Sequence, residues 1–349
     1  MAFTTINDPQ KHFNTVLYTG NQISHPIVGV GFQPDFIWGK VRSHSGTSSW
    51  YDTTRGNTKQ LESDTGNAES TQNTMLSSFD SDGFTMGTDT GGNQRDKTYV
   101  AWNWLANAGT RTTFTESGNN PAGGHQANTT AGFSLVDYVG TGALGTVAHG
   151  LGAVPHMIIV MNRSASHSSL VYHRGNTSAP ETDGLELNVE DQTYDNATYW
   201  NDTAPTSTVF TVNTSGNVNT NDHNYMAYVW TEIQGYSKFG SYKGNENNGD
   251  GTFVYTGFSP AFIMVKNTER AQNWSIHNNK MPGYNPIAQR LQANLADAVS
   301  TNNPVDFLSN GFKWRSNDGD TNGYTHIHIY AAFAESPFVT SNGSPTNAR

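Results

Sequence analysis

The chain has 349 residues, enough for two or three domains that each bury a core. Charged residues make up 14% of it, against about 25% in a typical soluble protein, and the formal charge of −10 is spread without a run of Lys or Arg, so no nucleic-acid partner is expected. Zero cysteines exclude disulfides and thiolate metal sites, while 8 Trp, 15 Tyr and 17 Phe supply the buriable area that disordered chains lack.

In chain order, residues 1–15 show no basic stretch leading into an apolar one, and no apolar run approaches the ~20 residues of a membrane helix. A signal peptide and membrane insertion are therefore not expected. A mean hydropathy of −0.60 with abundant Gly, Asn, Ser and Thr points to turn-rich β structure.

The first recognisable element is Tyr18-Thr19-Gly20-Asn21, followed by Gly31-Phe32-Gln33-Pro34-Asp35-Phe36-Ile37-Trp38. It returns as Tyr138-Val139-Gly140 with Val154-Pro155-His156-Met157-Ile158-Ile159, and again as Tyr242-Lys243-Gly244-Asn245 with Ser259-Pro260-Ala261-Phe262-Ile263-Met264. The spacing is steady: Tyr18 to Tyr138 is 120 residues and Pro34 to Pro155 is 121, while Tyr138 to Tyr242 is 104 and Pro155 to Pro260 is 105. Phe84, Thr85, Tyr99, Ala101 and Trp104 map onto Phe210, Thr211, Tyr225, Ala227 and Trp230 at a constant 126. Such self-similarity marks an internal repeat.

Each proline precedes an apolar run, where the first position of a strand tolerates a missing N–H. Asp82-Gly83 and Asn310-Gly311, between phenylalanines, predict hairpin turns. Short strands separated by turn signals predict an all-β chain of three tandem β-sandwich domains of jelly-roll kind. The expected boundaries are 1–108, a Gly/Asn/Thr-rich linker at 109–130, 131–236, 237–337 and a loose tail at 338–349. One helix is predicted near 286–299, where Pro286 leads into the stripe Ile287, Leu291, Leu295.

Chemistry is sparse along this frame. His326 and His328 would share a strand face without a third metal ligand at sensible spacing, and His167 and His173 have no counterparts in the other copies. Asp318-Gly319-Asp320-Thr321-Asn322-Gly323 matches the opening half of a calcium loop, which makes Asp318, Asp320 and Asn322 candidate ligands. Ile329 then stands where the bidentate Glu belongs, so a polar turn is the competing reading. Asp80 and Asp82 read as turn formers. Glu62, Asp64, Glu69, Glu181, Asp183, Glu186 and Glu190 form no recurrent pair of the kind glycoside hydrolysis needs. Trp50, Tyr51, Tyr172, Tyr199, Trp200 and Trp274 fall in polar, loop-like segments, where aromatic rings can stack on sugars or anchor an interface; a satellite core beneath long loops is the alternative. No catalytic residues and no cofactor are expected.

The opening segment Phe3-Thr4-Thr5-Ile6-Asn7-Asp8-Pro9, the Tyr-Thr-Gly-Asn element, Gln33 to Trp38, Ser78 to Phe84 and Tyr99-Val100-Ala101-Trp102 together resemble virion proteins of tailed bacteriophages, especially those of aquatic bacteria. The ending Tyr330-Ala331-Ala332-Phe333-Ala334-Glu335 fits the same group. The resemblance implies concanavalin-like or jelly-roll modules on the particle surface, in a tail fibre or tail tip that contacts the host. Capsid decoration is the first alternative and a glycan-degrading enzyme the second. It also implies other virion proteins as partners, a homo-oligomer, specifically a trimer, and host-surface polysaccharide as a ligand.

Overall fold

The computed structural model describes residues 3–346. The protein is all-β, with 41% of residues in strands and 4% in helices, and its paired strands are antiparallel. Three large sheets share one strand order. Phe13–Thr19 pairs with Thr98–Trp104, which pairs with Phe36–Val41, which pairs with Ser48–Asp52. Phe133–Val139, Asn224–Trp230, Met157–Asn162 and Leu170–His173 follow in the same order, as do Ser237–Lys243, Ile327–Pro337, Phe258–Asn267 and Ser275–Asn278. A small sheet covers each large one, built on the pairs His25–Val28 with Gly83–Met86, Gly145–Ala148 with Val209–Val212, and Phe253–Tyr255 with Gly311–Trp314.

Side chains alternate between the faces of a strand, so a strand buried on both faces feeds two cores. Met226, Tyr228 and Trp230 of the second sheet enter one cluster, while Tyr225, Ala227 and Val229 enter another. The same division holds for Ile329, Ala331 and Phe333 against Tyr330 and Ala332. The inner faces of all three large sheets meet in a single central core, to which Val100, Trp102 and Trp104 belong as well. Trp104, Trp230 and Phe333 hold corresponding positions, opposite Phe36, Met157 and Phe262 respectively. Their rings converge, with Trp104 6.2 Å from Trp230 and 5.5 Å from Phe333. The outer faces pack beneath the small sheets as three peripheral cores.

The repeated tyrosines have a common task. Tyr18, Tyr138 and Tyr242 donate their hydroxyls to the carbonyls of Gly92, Val218 and Thr321. The residue after each acceptor is Asn93, Asn219 or Asn322, whose Oδ1 accepts from the N–H of Asn21, Thr141 or Asn245 at 2.9, 2.8 and 3.2 Å. The glycine between tyrosine and donor leaves no room for a side chain: a Cβ on Gly20, Gly140 or Gly244 would lie 2.2, 2.2 or 2.7 Å from a carbonyl oxygen of the facing loop.

Several sequence expectations are corrected. The stretch 109–130 is no linker, because Thr112–Phe114 and Gly123–Asn128 extend the second large sheet. No helix forms at 286–299: Ile287 exchanges backbone hydrogen bonds with Val305, and Leu291–Gln292 is a strand beside Ser275–Asn278. Tertiary pairing outweighs the helical spacing there, with Ile287 in a peripheral core and Leu291 in the central one. The tail is held as far as 346, since Asn7 bonds Ser341 through both side chain and backbone and Val339 bridges Pro345. Residues 347–349 of that expectation lie outside the described residues. In the two predicted hairpins the turn residues are Ser81-Asp82 and Ser309-Asn310, one position earlier than expected. Gly83 and Gly311 are needed for close approach instead, as a Cβ would meet the Ile27 and Val254 carbonyl oxygens at 2.0 and 2.1 Å.

Candidate functional site

The six aromatic side chains proposed as exposed ligands are core residues. Trp50 is 0% exposed and packs edge-on to Tyr228 at 4.6 Å, and Tyr51 on the opposite strand face enters the first peripheral core. Tyr172, Tyr199 and Trp200 line the second peripheral core, while Trp274 is buried centrally with Nε1 donating to the Glu186 carbonyl at 2.9 Å. Polar neighbours such as Ser48, Ser49 and Asp52 disguise these strands as loops, yet they too are buried. No sugar can stack on a ring with both faces covered.

The calcium-loop residues are taken up within the protein. Arg290 Nη1 donates to Asp320 Oδ2 at 2.8 Å and to Asp318 Oδ1 at 3.3 Å, so a guanidinium stands where a cation would. Burial raises the Asp320 carboxyl above its ordinary pKa despite that neighbour. Asn322 is the third member of the asparagine clamp, with its amide spent on Asn245 and Ser316. Among the described residues no group of three or more His, Asp or Glu is placed to hold a metal ion. His328 stacks on Tyr242 at 5.3 Å, in the place that Tyr99 and Tyr225 take against Tyr18 and Tyr138. Burial lowers its pKa to about 4. His173 is also buried and bonds the Tyr330 carbonyl. Asp80 accepts from Ser78 and Thr85, and Asp82 from the Gly29 and Gly31 amides.

The geometry that sequence reasoning missed lies at the seams between copies. Directly after the strands Phe36–Val41, Met157–Asn162 and Phe258–Asn267, the residues Arg42, Arg163 and Thr268 donate their N–H groups to the carbonyls of Thr98, Asn224 and Ile327, the first residues of Thr98–Trp104, Asn224–Trp230 and Ile327–Pro337. Their carbonyls accept from a loop of another copy: Glu69 N–H bonds Arg163, Thr193 N–H bonds Thr268, and Val299 N–H bonds Arg42, all at 3.0 Å. First copy to second, second to third and third to first, the bonds close a ring.

The three seams differ in their side chains. In the first, Arg163 grips Glu69 at 2.7 and 3.2 Å, and the fully buried Arg55 reaches the same carboxylate. Where the third copy meets the first, Arg42 Nη2 bonds Gln289, and the buried Lys40 Nζ donates to the Leu295 carbonyl at 2.5 Å; burial lowers the Lys40 pKa to about 8. Its counterpart Lys266 donates to the Glu190 carbonyl, and burial likewise lowers its pKa to about 8. The seam between second and third copies has Thr268 in place of an arginine. There an open groove of about 530 Å³ is lined by Asn176, Thr177, Asp183, Gln192, Thr193, Tyr194, Asp195, Thr268, Glu269 and Ile327. Glu269 accepts from Ile327 N–H at 2.9 Å, Asp183 accepts from Thr177, and Tyr194 is anchored through its hydroxyl to Glu186 and Tyr199, each at 2.7 Å. A signal for this site is present in the sequence. Arg42, Arg163 and Thr268 stand 121 and 105 residues apart, the same steps that separate Pro34, Pro155 and Pro260, so the threonine at the place of the two arginines is visible once the copies are aligned.

No curated protein matches this chain. A family model described as a domain of unknown function, DUF7483, matches residues 8–337 and so spans all three large sheets and the groove. The chain therefore belongs to the DUF7483 family.

Proposed function

We propose that this protein is a non-enzymatic structural component of a tailed-bacteriophage particle, exposed on the virion as part of a tail fibre or tail tip that contacts the host surface. The observation that supports this reading best is the closed ring of three copies around one core. It ties the three copies of a single chain together through one central core and through hydrogen bonds at every seam, as suits a particle part under mechanical load. In this reading the three sheet pairs are jelly-roll or concanavalin-like modules of one ancestry. The partners are other virion proteins and a polysaccharide of the host. We take the single chain with its three internal copies as the unit that docks, with the trimer of chains expected from the sequence as the alternative assembly.

The test is quantitative mass spectrometry of purified particles of a phage encoding the protein, together with antibody labelling seen by electron microscopy. Label at the tail with a low copy number is the expected result. Label over the head in hundreds of copies would move the protein to capsid decoration, and its absence from particles would overturn the proposal.

A further inference from the structure

We infer that the open seam between the second and third copies is a binding groove for an oligosaccharide rich in hydroxyls and free of negative charge. The identification of a sugar class rests on the host-contact reading above, but the groove itself is argued from geometry. Three equivalent seams exist in the ring, and two carry an arginine at the position where this one carries Thr268. The groove beside Thr268 has a volume of about 530 Å³, within the ~300–1,000 Å³ usual for ligand sites.

The lining suits hydroxyl groups. Asn176 is only 5% exposed, its Oδ1 accepts from Thr193 Oγ1 at 2.6 Å, and its Nδ2 has no hydrogen-bond partner among the described residues. That amide donor is open to solvent at the groove wall, where a ligand oxygen can take the place of water. Gln192 and Asp195 are exposed at the rim and their side chains likewise make no hydrogen bond among the described residues. Tyr194 is held at two points through its hydroxyl, which fixes the ring as a preorganised apolar wall for the face of a sugar. Asp183, Asp195 and Glu269 contribute three carboxylates, and no Lys or Arg lines the groove. A uronic or sulfated glycan would meet like charge there, whereas a neutral or amine-bearing one would not.

Calorimetric titration of the full-length protein with a neutral dextran oligomer, a chitosan hexamer and an alginate hexamer tests this. One of the first two is expected to bind at one site per chain, and alginate is expected not to bind. Thr268→Arg, which restores the residue of the sister seams, should weaken binding at least tenfold. Should that variant fail to fold, Asn176→Ala replaces it and should weaken binding by about the same factor. Absence of binding by both non-anionic probes, equal binding of alginate, or unchanged affinity in the variant that folds would each overturn the inference. None of these outcomes depends on where the protein sits in a particle, so the groove and the virion assignment fail separately.

Discussion

Tyr18, Tyr138 and Tyr242 sit in register with Tyr99, Tyr225 and His328, and each closes a loop by a hydroxyl bond to a backbone carbonyl. Replacing any one by Phe keeps the ring packing and removes a single bond, so each change should cost about 1 kcal/mol. The sites belong to different copies and share no bonding partner, so a triple variant should lose roughly the sum, read from urea unfolding. A second prediction at this scale concerns buried imidazoles. Burial lowers the pKa of His277 to about 3 and of His149, His173 and His328 to about 4. The folded pKa then lies below the unfolded value of ~6.5, so below that pH the unfolded chain takes up protons first. The contribution is fully present above pH ~6.5 and is lost as pH falls toward about 4, at about 1.4 kcal/mol per pH unit for each histidine. Thermal unfolding between pH 7 and 4 should show this slope, and His277→Phe, beside Trp314 at 5.4 Å, should make it shallower.

Among elements, the two kinds of seam interaction separate by burial. Arg55 and Asp52 are fully buried, joined at 2.6 Å, and share the Tyr228 hydroxyl of the next copy. Arg55→Ala would strand a buried carboxylate and is expected to cost about 3–5 kcal/mol, whereas an Arg55→Met, Asp52→Leu pair should recover most of the loss. Arg163→Ala, with a side chain 21% exposed, removes a more hydrated pair and should cost about 1 kcal/mol or less. Chemical denaturation of the three variants orders them. The copies themselves were legible in the sequence because Tyr, Gly and Pro are required at fixed places by loop closure, backbone approach and strand entry. Legibility failed where tertiary pairing decides the backbone. Gly123–Asn128 is polar enough to read as a linker, yet its partner strand Phe133–Val139 fixes it as a strand. The Ile287, Leu291, Leu295 stripe fits a helix by spacing alone. Trp50 and Tyr51 read as loop residues because a strand buried on both faces shows no alternation of polar and apolar residues. The groove escaped notice because it is made by what one seam lacks.

At the scale of the molecule, the central core decides how the chain unfolds. Trp104, Trp230 and Phe333 come from three copies and touch across the middle, with Phe13 stacked on Phe333 at 5.0 Å and Phe36 against Tyr228 at 4.6 Å. Opening any one copy would expose large aromatic area on the other two, at about 25 cal/mol for each Å² of apolar surface. Tandem domains with separate cores would instead melt one after another. The large sheets also guard one edge each by brevity, ending in Ser70–Thr71, Thr112–Phe114 and Leu291–Gln292, which limits pairing with further chains even though Lys and Arg number only 19. The expected behaviour is a single calorimetric transition whose van't Hoff and calorimetric enthalpies agree, from a particle of 38.0 kDa in light scattering. Trp104→Ala, which opens a cavity shared by all three copies, should lower the midpoint of that one transition by several degrees without splitting it. Two or three resolved transitions in the unaltered protein would mean that the copies hold together by their seams alone and that the central core adds little to their coupling.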